Sequence, residues 1–483
     1  MSEIHAQTVQ YVRDTMLPPA PPPNRQSGPV LWLRENLFSG PLNIALTLLG
    51  LAAIWYLVSS IWPWIAHSVW HANSLKECRG IIAATFGEGT TGACWALVRE
   101  RWSQFVFGFY PSHLWWRPVA AFGFLFVALA PVLFSDSRGI RRWVLFLAAI
   151  LTVWIMDALG APTAPLTWVA AIMMLAWLLS EFRPSLLLVM TGLYPALGVW
   201  LLWGGSLWSP IVVMLGFGVA YAVYRALERT SSLLAVVGAI AAAVAWWWWI
   251  GPWLVPRLNQ TVDLAITRVA SDSFGGFLLS ITIGVSGIAM SLPLGIILAL
   301  ARRSDLPLVK GFAVMFIEFI RGVPLIALLF VASLLLNYFL PPGTNFDIIL
   351  RVIIMVTLFA AAYMAEVIRG GLAALPKGQY EAADSLGLDY WKAQRLIILP
   401  QALKISIPGI VSTFIGMFKD TTLVTFVGLY DPLKATADSV RASVAWKGTY
   451  WEPYIFTGAI FFILCFGMSR YSMYLEQRLK REN

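Results

Sequence analysis

A chain of 483 residues with 59% hydrophobic and only 12% charged side chains, mean hydropathy +0.73 and 24 tryptophans departs from soluble domains, where roughly a quarter of residues are charged. Apolar runs recur along nearly its whole length, which excludes a large soluble domain and predicts an all-α polytopic membrane protein. The net charge of +9 belongs to the polar edges between those runs; there is no basic, aromatic-interleaved patch on a soluble fold to bind nucleic acid.

Residues 1–43 carry acids, the run PPAPPP at Pro18–Pro23 and no apolar core. They read as an extended, Pro-rich cytoplasmic tail and not as a signal peptide. Runs of spanning length follow near 44–65, 118–134, 143–159, 166–180, 185–203, 210–224 and 233–251. Five more lie near 275–301, 312–339, 348–368, 404–428 and 453–473, about twelve spans in all. The breaks Ser135–Arg142, Glu181–Pro184, Arg225–Ser232 and Ala301–Lys310 carry Arg or Lys, whereas Gly160–Pro165, Gly204–Ser209 and Pro341–Asn345 carry none. That asymmetry predicts that the first set and both termini are cytoplasmic.

The loop 66–117 falls outside in this count, against its own Lys76, Arg79, Arg99, Arg101 and Arg117. Within it, Cys78 and Cys94 fit either a disulfide, which a periplasm permits, or two free thiols. Cys465 lies in the last apolar run, and the four histidines form no zinc spacing; His67 and His71 lack further ligands. No metal site is expected.

The chain divides near residue 260. Upstream, an extension over 44–260 carries about seven bulky apolar spans and ends in WWWW at Trp246–Trp249, where indoles suit a membrane interface. It reads as a lipid-facing scaffold. Downstream, Gly284, Gly287, Pro293, Gly295, Gly322, Pro324, Pro408, Gly409 and Gly416 break the apolar runs, the pattern of closely packed helices around a cavity.

Between two of these runs stands GQYEAADSLGLDYWKAQRLIILPQAL, residues 378–403. Gly378, Glu381, Ala382, Ala383, Gly387, Ile397, Leu399 and Pro400 mark a helix–turn–helix on the membrane surface. Glu381 is expected at the start of the first helix, favoured there by the helix dipole, with Gly387 ending that helix and Pro400 stopping the second. Glu318 and Arg321, one helical turn apart, and Lys419, Asp420, Thr421 and Thr422 are candidate path residues, because ionisable groups within spans are costly. Local pairing at helix ends would explain the charged ones equally well.

The spacing EAA-x3-G-x9-I-x-LP resembles the coupling loop of ATP-binding-cassette importer permeases. Together with FIRGVPL (Phe319–Leu325), YMAEVIRGG (Tyr363–Gly371), LPKGQYEAA (Leu375–Ala383), LPQAL (Leu399–Leu403) and FKDTTLV (Phe418–Val424), it makes residues 270–480 similar to the polar amino acid uptake permeases. The long extension, with Glu77–Pro111, resembles the M-type permease subunit of general L-amino acid transporters of Gram-negative inner membranes. That resemblance implies a five-helix, type I importer core and a second, homologous permease subunit. It also implies a dimeric cytoplasmic ATPase that holds ATP and Mg, and a periplasmic binding protein that delivers the L-amino acid. This chain itself has no GxxxxGK[ST] phosphate loop and is expected to bind no cofactor and to be no enzyme. Two other classes are weighed against this one. An ion-driven secondary transporter would show similar halves, and a membrane-embedded transferase would cluster acids or histidines on an interfacial loop, where only Asp157 offers itself.

Overall fold

The computed structural model describes residues 29–135, 137–335, 338 and 346–481; the Pro18–Pro23 run and the break Pro341–Asn345 lie outside them. Helix dominates. Among the described residues, the two-residue strands β1 (Gly205–Ser206) and β2 (Ala265–Ile266) pair antiparallel. Among the described residues, eleven helices are long and apolar enough to cross a membrane, or twelve if one sharply bent pair counts as a span.

The described residues 29–96 form one compact unit. It holds α1 (Pro29–Asn36), α2 (Pro41–Ala66) and α3 (Leu75–Phe86). The expected tail over 1–43 is therefore helical in part: Pro41 occupies the first turn of α2, where a missing N–H has no partner to lose. Ser74 caps α3 by accepting from the Glu77 N–H, and the Glu77 carboxylate accepts from the Asn73 N–H, a reciprocal cap written in the S-x-x-E spacing. Cys78 on α3 is disulfide-bonded to Cys94, their Cα atoms 6.2 Å apart, and Ile82 packs beside them.

Residues 97–483 form the second unit. After α4 (Ala96–Phe107), α5 (Trp116–Leu133) packs on α8 (Leu187–Trp203) and α6 (Arg138–Ala158) on α7 (Thr163–Phe182). Then α9 (Trp208–Leu227) pairs with α10 (Ser232–Ala245), which runs through a π turn into α11 (Gly251–Thr261). That turn is the four-tryptophan run. Trp246 and Trp247 donate their indole N–H groups to the Val212 and Val213 carbonyls of α9 at 2.8 and 3.0 Å, while Trp248 and Trp249 are exposed. Two of the four are thus helix–helix ties, because a π turn frees side chains to reach across.

Arg117, expected as a loop charge, is buried and donates to the Thr267 carbonyl and hydroxyl at 2.7 and 2.6 Å. On α4, Glu100 accepts from the Trp446 indole and Gln104 donates to the Tyr430 hydroxyl, each at 2.8 Å. The second half of the 66–117 loop is therefore seated on the segment between the last two long helices.

The C-terminal core comprises α12 (Gly276–Arg302), α13 (Pro307–Gly322), α14 (Leu325–Phe330), α15 (Ile348–Ala373), α16 (Lys377–Ser385), α17 (Tyr390–Ala393), α18 (Leu399–Asp420), α19 (Pro432–Arg441) and α20 (Trp451–Arg481). Its axis is the α12–α15 pair, which lie so close that a Cβ on Gly295 would come within 2.7 Å of Met364 Cβ. The run expected as one span at 312–339 is instead broken: Pro307–Gly322 and Leu325–Leu335 meet at 103°. Pro324 is the cause, since it holds the preceding Val323 extended at φ −100°, ψ 131°.

Candidate functional site: coupling element and translocation face

The helix–turn–helix expected over 378–403 is present, and its turn is built as the glycine requires. Gly387 has φ +66°, its N–H donates to the Asp384 carbonyl at 2.9 Å, and the Leu388 N–H reaches the Ala383 carbonyl at 3.3 Å. These two bonds close α16 in a Schellman motif. Asp389 then caps α17 through the Lys392 N–H at 2.9 Å and pairs with the Lys392 ammonium at 2.9 Å. The Lys392 side chain, followed by its backbone N–H, holds the Asp389 carboxyl below the usual aspartate range.

Two expectations fail here. Glu381 does not begin its helix; it is the fifth residue of α16, exposed, because the chain turns helical already at Lys377, so the dipole argument does not apply. Nor does Pro400 stop the second helix. It lies in the first turn of α18, and helix runs on continuously over Tyr390–Val427. A π turn at Gln394–Ile398 makes this possible: the Leu399 N–H bonds back five residues to Gln394, which loosens the ladder where the proline ring would otherwise clash.

The element is braced from behind. Arg303, just past α12, donates to the Tyr380 hydroxyl at 2.9 Å and to the Leu372 carbonyl at 3.3 Å. Gln401 of α18 donates to Gln379 of α16 at 2.9 Å. Ala383 is buried, and Ile397 and Leu399 pack against a cluster that holds the buried Ile398 and Ala402. Facing outward are Ala382, Gly378, where a Cβ would meet nothing within 4 Å, and the side chains of Leu386 and Trp391, 71% and 70% exposed.

The candidate path residues divide into two places. Glu318 and Arg321 do not pair with each other among the described ion pairs. Both enter a five-residue network centred on Glu366, a residue the motif reading quoted and did not weigh. Arg302 bridges Glu318 at 3.0 Å and Glu366 at 2.6 Å, Arg369 holds Glu366 at 3.0 Å, and Arg321 approaches it at 3.8 Å. The Glu366–Arg369 spacing of three on one helix was the available signal. This network sits at the same end of the core as residues 378–403.

Lys419, Asp420, Thr421 and Thr422 lie at the other end of α18, which at 22 residues is about 33 Å long. Lys419 is exposed, and Thr421 and Thr422 donate to the Phe418 and Lys419 carbonyls at 2.7 and 2.9 Å, closing the last turn. Asp420 differs. It lines a cavity of about 280 Å³ between α15 and α18, together with Phe359, Tyr363, Thr413 and Gly416. Tyr363 also carries the Arg321 guanidinium over its ring, 5.6 Å from the centroid, so the cavity connects Asp420 to the edge of the arginine network. Asp157, by contrast, borders an apolar groove between α6 and α7 and joins no cluster of acids or histidines; among the described residues no metal-binding group occurs.

The sequence is similar to several known proteins. The family model described as binding-protein-dependent transport system inner membrane component matches residues 291–481. The glutamate/glutamine/aspartate/asparagine transport system permease protein BztC of Rhodobacter capsulatus is 55% identical over 475 residues, 98% of this chain and 99% of that protein. The inner membrane amino-acid ABC transporter permease protein YhdY of Escherichia coli is 34% identical across 95% of this chain and 96% of its own length. The glutamate/aspartate import permease protein GltK of Escherichia coli is 30% identical over 42% of this chain and 91% of its own length. The extension is thus shared at full length with two relatives, and nearly the whole of a third corresponds to less than half of this chain. The chain belongs to the amino-acid permeases of the binding-protein-dependent ATP-binding-cassette importers, and it is a membrane transport subunit served by a separate ATPase.

Proposed function

We propose that this chain imports acidic and amide L-amino acids across the bacterial inner membrane as one half of a permease heterodimer, with both termini cytoplasmic. The observation that carries the substrate class is the 55% identity, over essentially both full lengths, to a permease for glutamate, glutamine, aspartate and asparagine. Residues 378–403 seat on a dimeric cytoplasmic ATPase that holds ATP and Mg. The outward Leu386 and Trp391 supply apolar contact, and Gly378, which the chain's own packing does not require, admits close approach of the partner backbone. Periplasmic binding protein delivers substrate to the opposite face.

The translocation path belongs to the core over 270–480, and the extension over 44–260 supports it. Within the path, Asp420 meets the substrate ammonium at one end of the α15–α18 cavity. Outside the cavity, next to Tyr363, three arginines against two glutamates leave one positive charge in excess, which suits a substrate carboxylate. Competition of unlabelled amino acids against labelled L-glutamate uptake by the reconstituted transporter tests this reading. Glutamine, aspartate and asparagine should compete and arginine and leucine should not; the reverse order would refute it.

A further inference from the structure

Behind the coupling element a cavity of about 300 Å³ opens between α16, α17 and the ends of α12 and α15. Leu300, Leu372 and Ala383 form its apolar wall, all buried. Its polar lining residues are Arg303, Asp384, Tyr380, Tyr390 and Gln394. Gln394 is only 7% exposed, and its Oε1 has no hydrogen-bond partner. A buried acceptor without a partner is unusual in a folded chain and calls for an N–H donor.

We infer that this cavity binds a free L-amino acid from the cytoplasmic side. One guanidinium, one carboxylate and one orphaned neutral acceptor match a zwitterion: the α-carboxylate meets Arg303, and the α-ammonium lies between Asp384 and Gln394 Oε1. A nucleotide fits poorly, because a single arginine faces a carboxylate that would repel phosphate. A metal cation fits poorly as well, since only one carboxylate is present. The volume lies at the lower end for small-ligand sites, as a ligand of this size requires.

The position of the cavity gives binding a consequence. Arg303 follows α12, Asp384 belongs to α16, and Gln394 opens the π turn into α18. A ligand held by all three ties both arms of the coupling element to the core, so the imported product would slow its own import. That consequence rests on the coupling role proposed above; the binding itself does not.

Equilibrium binding of radiolabelled L-glutamine to the complete transporter, with its ATPase and without binding protein, tests the site. Label should saturate at about millimolar concentration, weaken about tenfold or more in Gln394→Leu and Asp384→Asn, and be retained in Asp420→Asn. Asp384 is exposed, so its variant keeps the fold. Wild-type affinity in Asp384→Asn overturns the assignment whatever Gln394→Leu does, and so does label lost only in Asp420→Asn, or no label at all at about 10 mM. Uptake by the same preparation with binding protein and ATP reports the transport reading separately, so either can fail alone.

Discussion

Arg303 and Tyr380 join α12 to α16: the guanidinium donates to the phenol at 2.9 Å and lies 5.5 Å from the ring centroid. Tyr380 itself donates to the Leu372 carbonyl at 3.3 Å, so a single contact ties the ends of α12 and α15 to α16. Motion of α16 would reach the spanning helices through this pair.

Removing it should therefore uncouple the transporter without unfolding it. Arg303→Ala is expected to leave the membrane level of the protein unchanged and to lower uptake about tenfold, with Tyr380→Phe milder, since one hydrogen bond to a charged group is worth about 1.5–3 kcal/mol. Parallel assays of uptake and substrate-stimulated ATP hydrolysis check this. Unchanged uptake in Arg303→Ala would show that the brace carries no signal.

The turn should be as sensitive as the brace. Gly387→Pro cannot adopt the φ of +66° that closes α16, and Glu381→Lys reverses charge on the exposed face of the same helix. Both variants are expected to insert and to assemble with the partner permease, while uptake and ATP hydrolysis fall together. Normal uptake in both would remove 378–403 from the coupling role.

Glu366 is the hub of three arginines and should matter more to stability than its neighbours. Its side chain is 17% exposed, that of Glu318 54%. Glu366→Gln should destabilise the protein by about 2–3 kcal/mol, because Arg321 and Arg369 lose their carboxylate and Arg302 keeps only Glu318, whereas Glu318→Gln should cost under about 1 kcal/mol. Thermal unfolding in detergent distinguishes them, and equal Tm values for the two variants would contradict the network as described.

The helix α19 offers a pH test outside the membrane. Asp431 caps it by accepting from the Leu433 and Lys434 N–H groups at 2.9 and 3.1 Å, and burial pushes its carboxyl above the usual value, partly offset by those bonds. A raised acid pKa means that the folded state binds the proton more tightly. Its contribution to stability therefore improves as pH falls through the folded-state pKa toward 3.8. Asp431→Asn should abolish that increment and keep the cap, while Asp431→Ala should cost about 1–2 kcal/mol at neutral pH. Difference curves of Tm against pH, wild type minus Asn variant, measure it; a flat difference would count against the shift.

Much of this was legible in the sequence. The hydropathy of the spans, the turn at Gly387 and the motif spacing depend on local chemistry, and local chemistry is what a sequence displays. The break at Pro324 was visible as a proline, but its 103° angle was not, because a kink depends on what the freed backbone can pack against. Pro400 misled for a related reason: whether a proline stops a helix depends on the ladder around it, and the π turn at Gln394–Ile398 absorbs the clash. Arg302 and Arg303 escaped notice because their partners stand 16 to 77 residues away, and no local period marks such a pairing; Glu366 was marked locally only by its spacing of three to Arg369. Cys78 and Cys94 could be proposed as a pair, but only the approach of their backbones to 6.2 Å decides for the bond.

The most direct test is the energy source of uptake. Proteoliposomes holding this chain, its partner permease and the ATPase are loaded with ATP, given binding protein and labelled L-glutamate outside, and assayed with and without ionophores that collapse ion gradients. Uptake that requires ATP and binding protein and survives the ionophores is the predicted result. Uptake driven by an imposed ion gradient in the absence of ATP would contradict it.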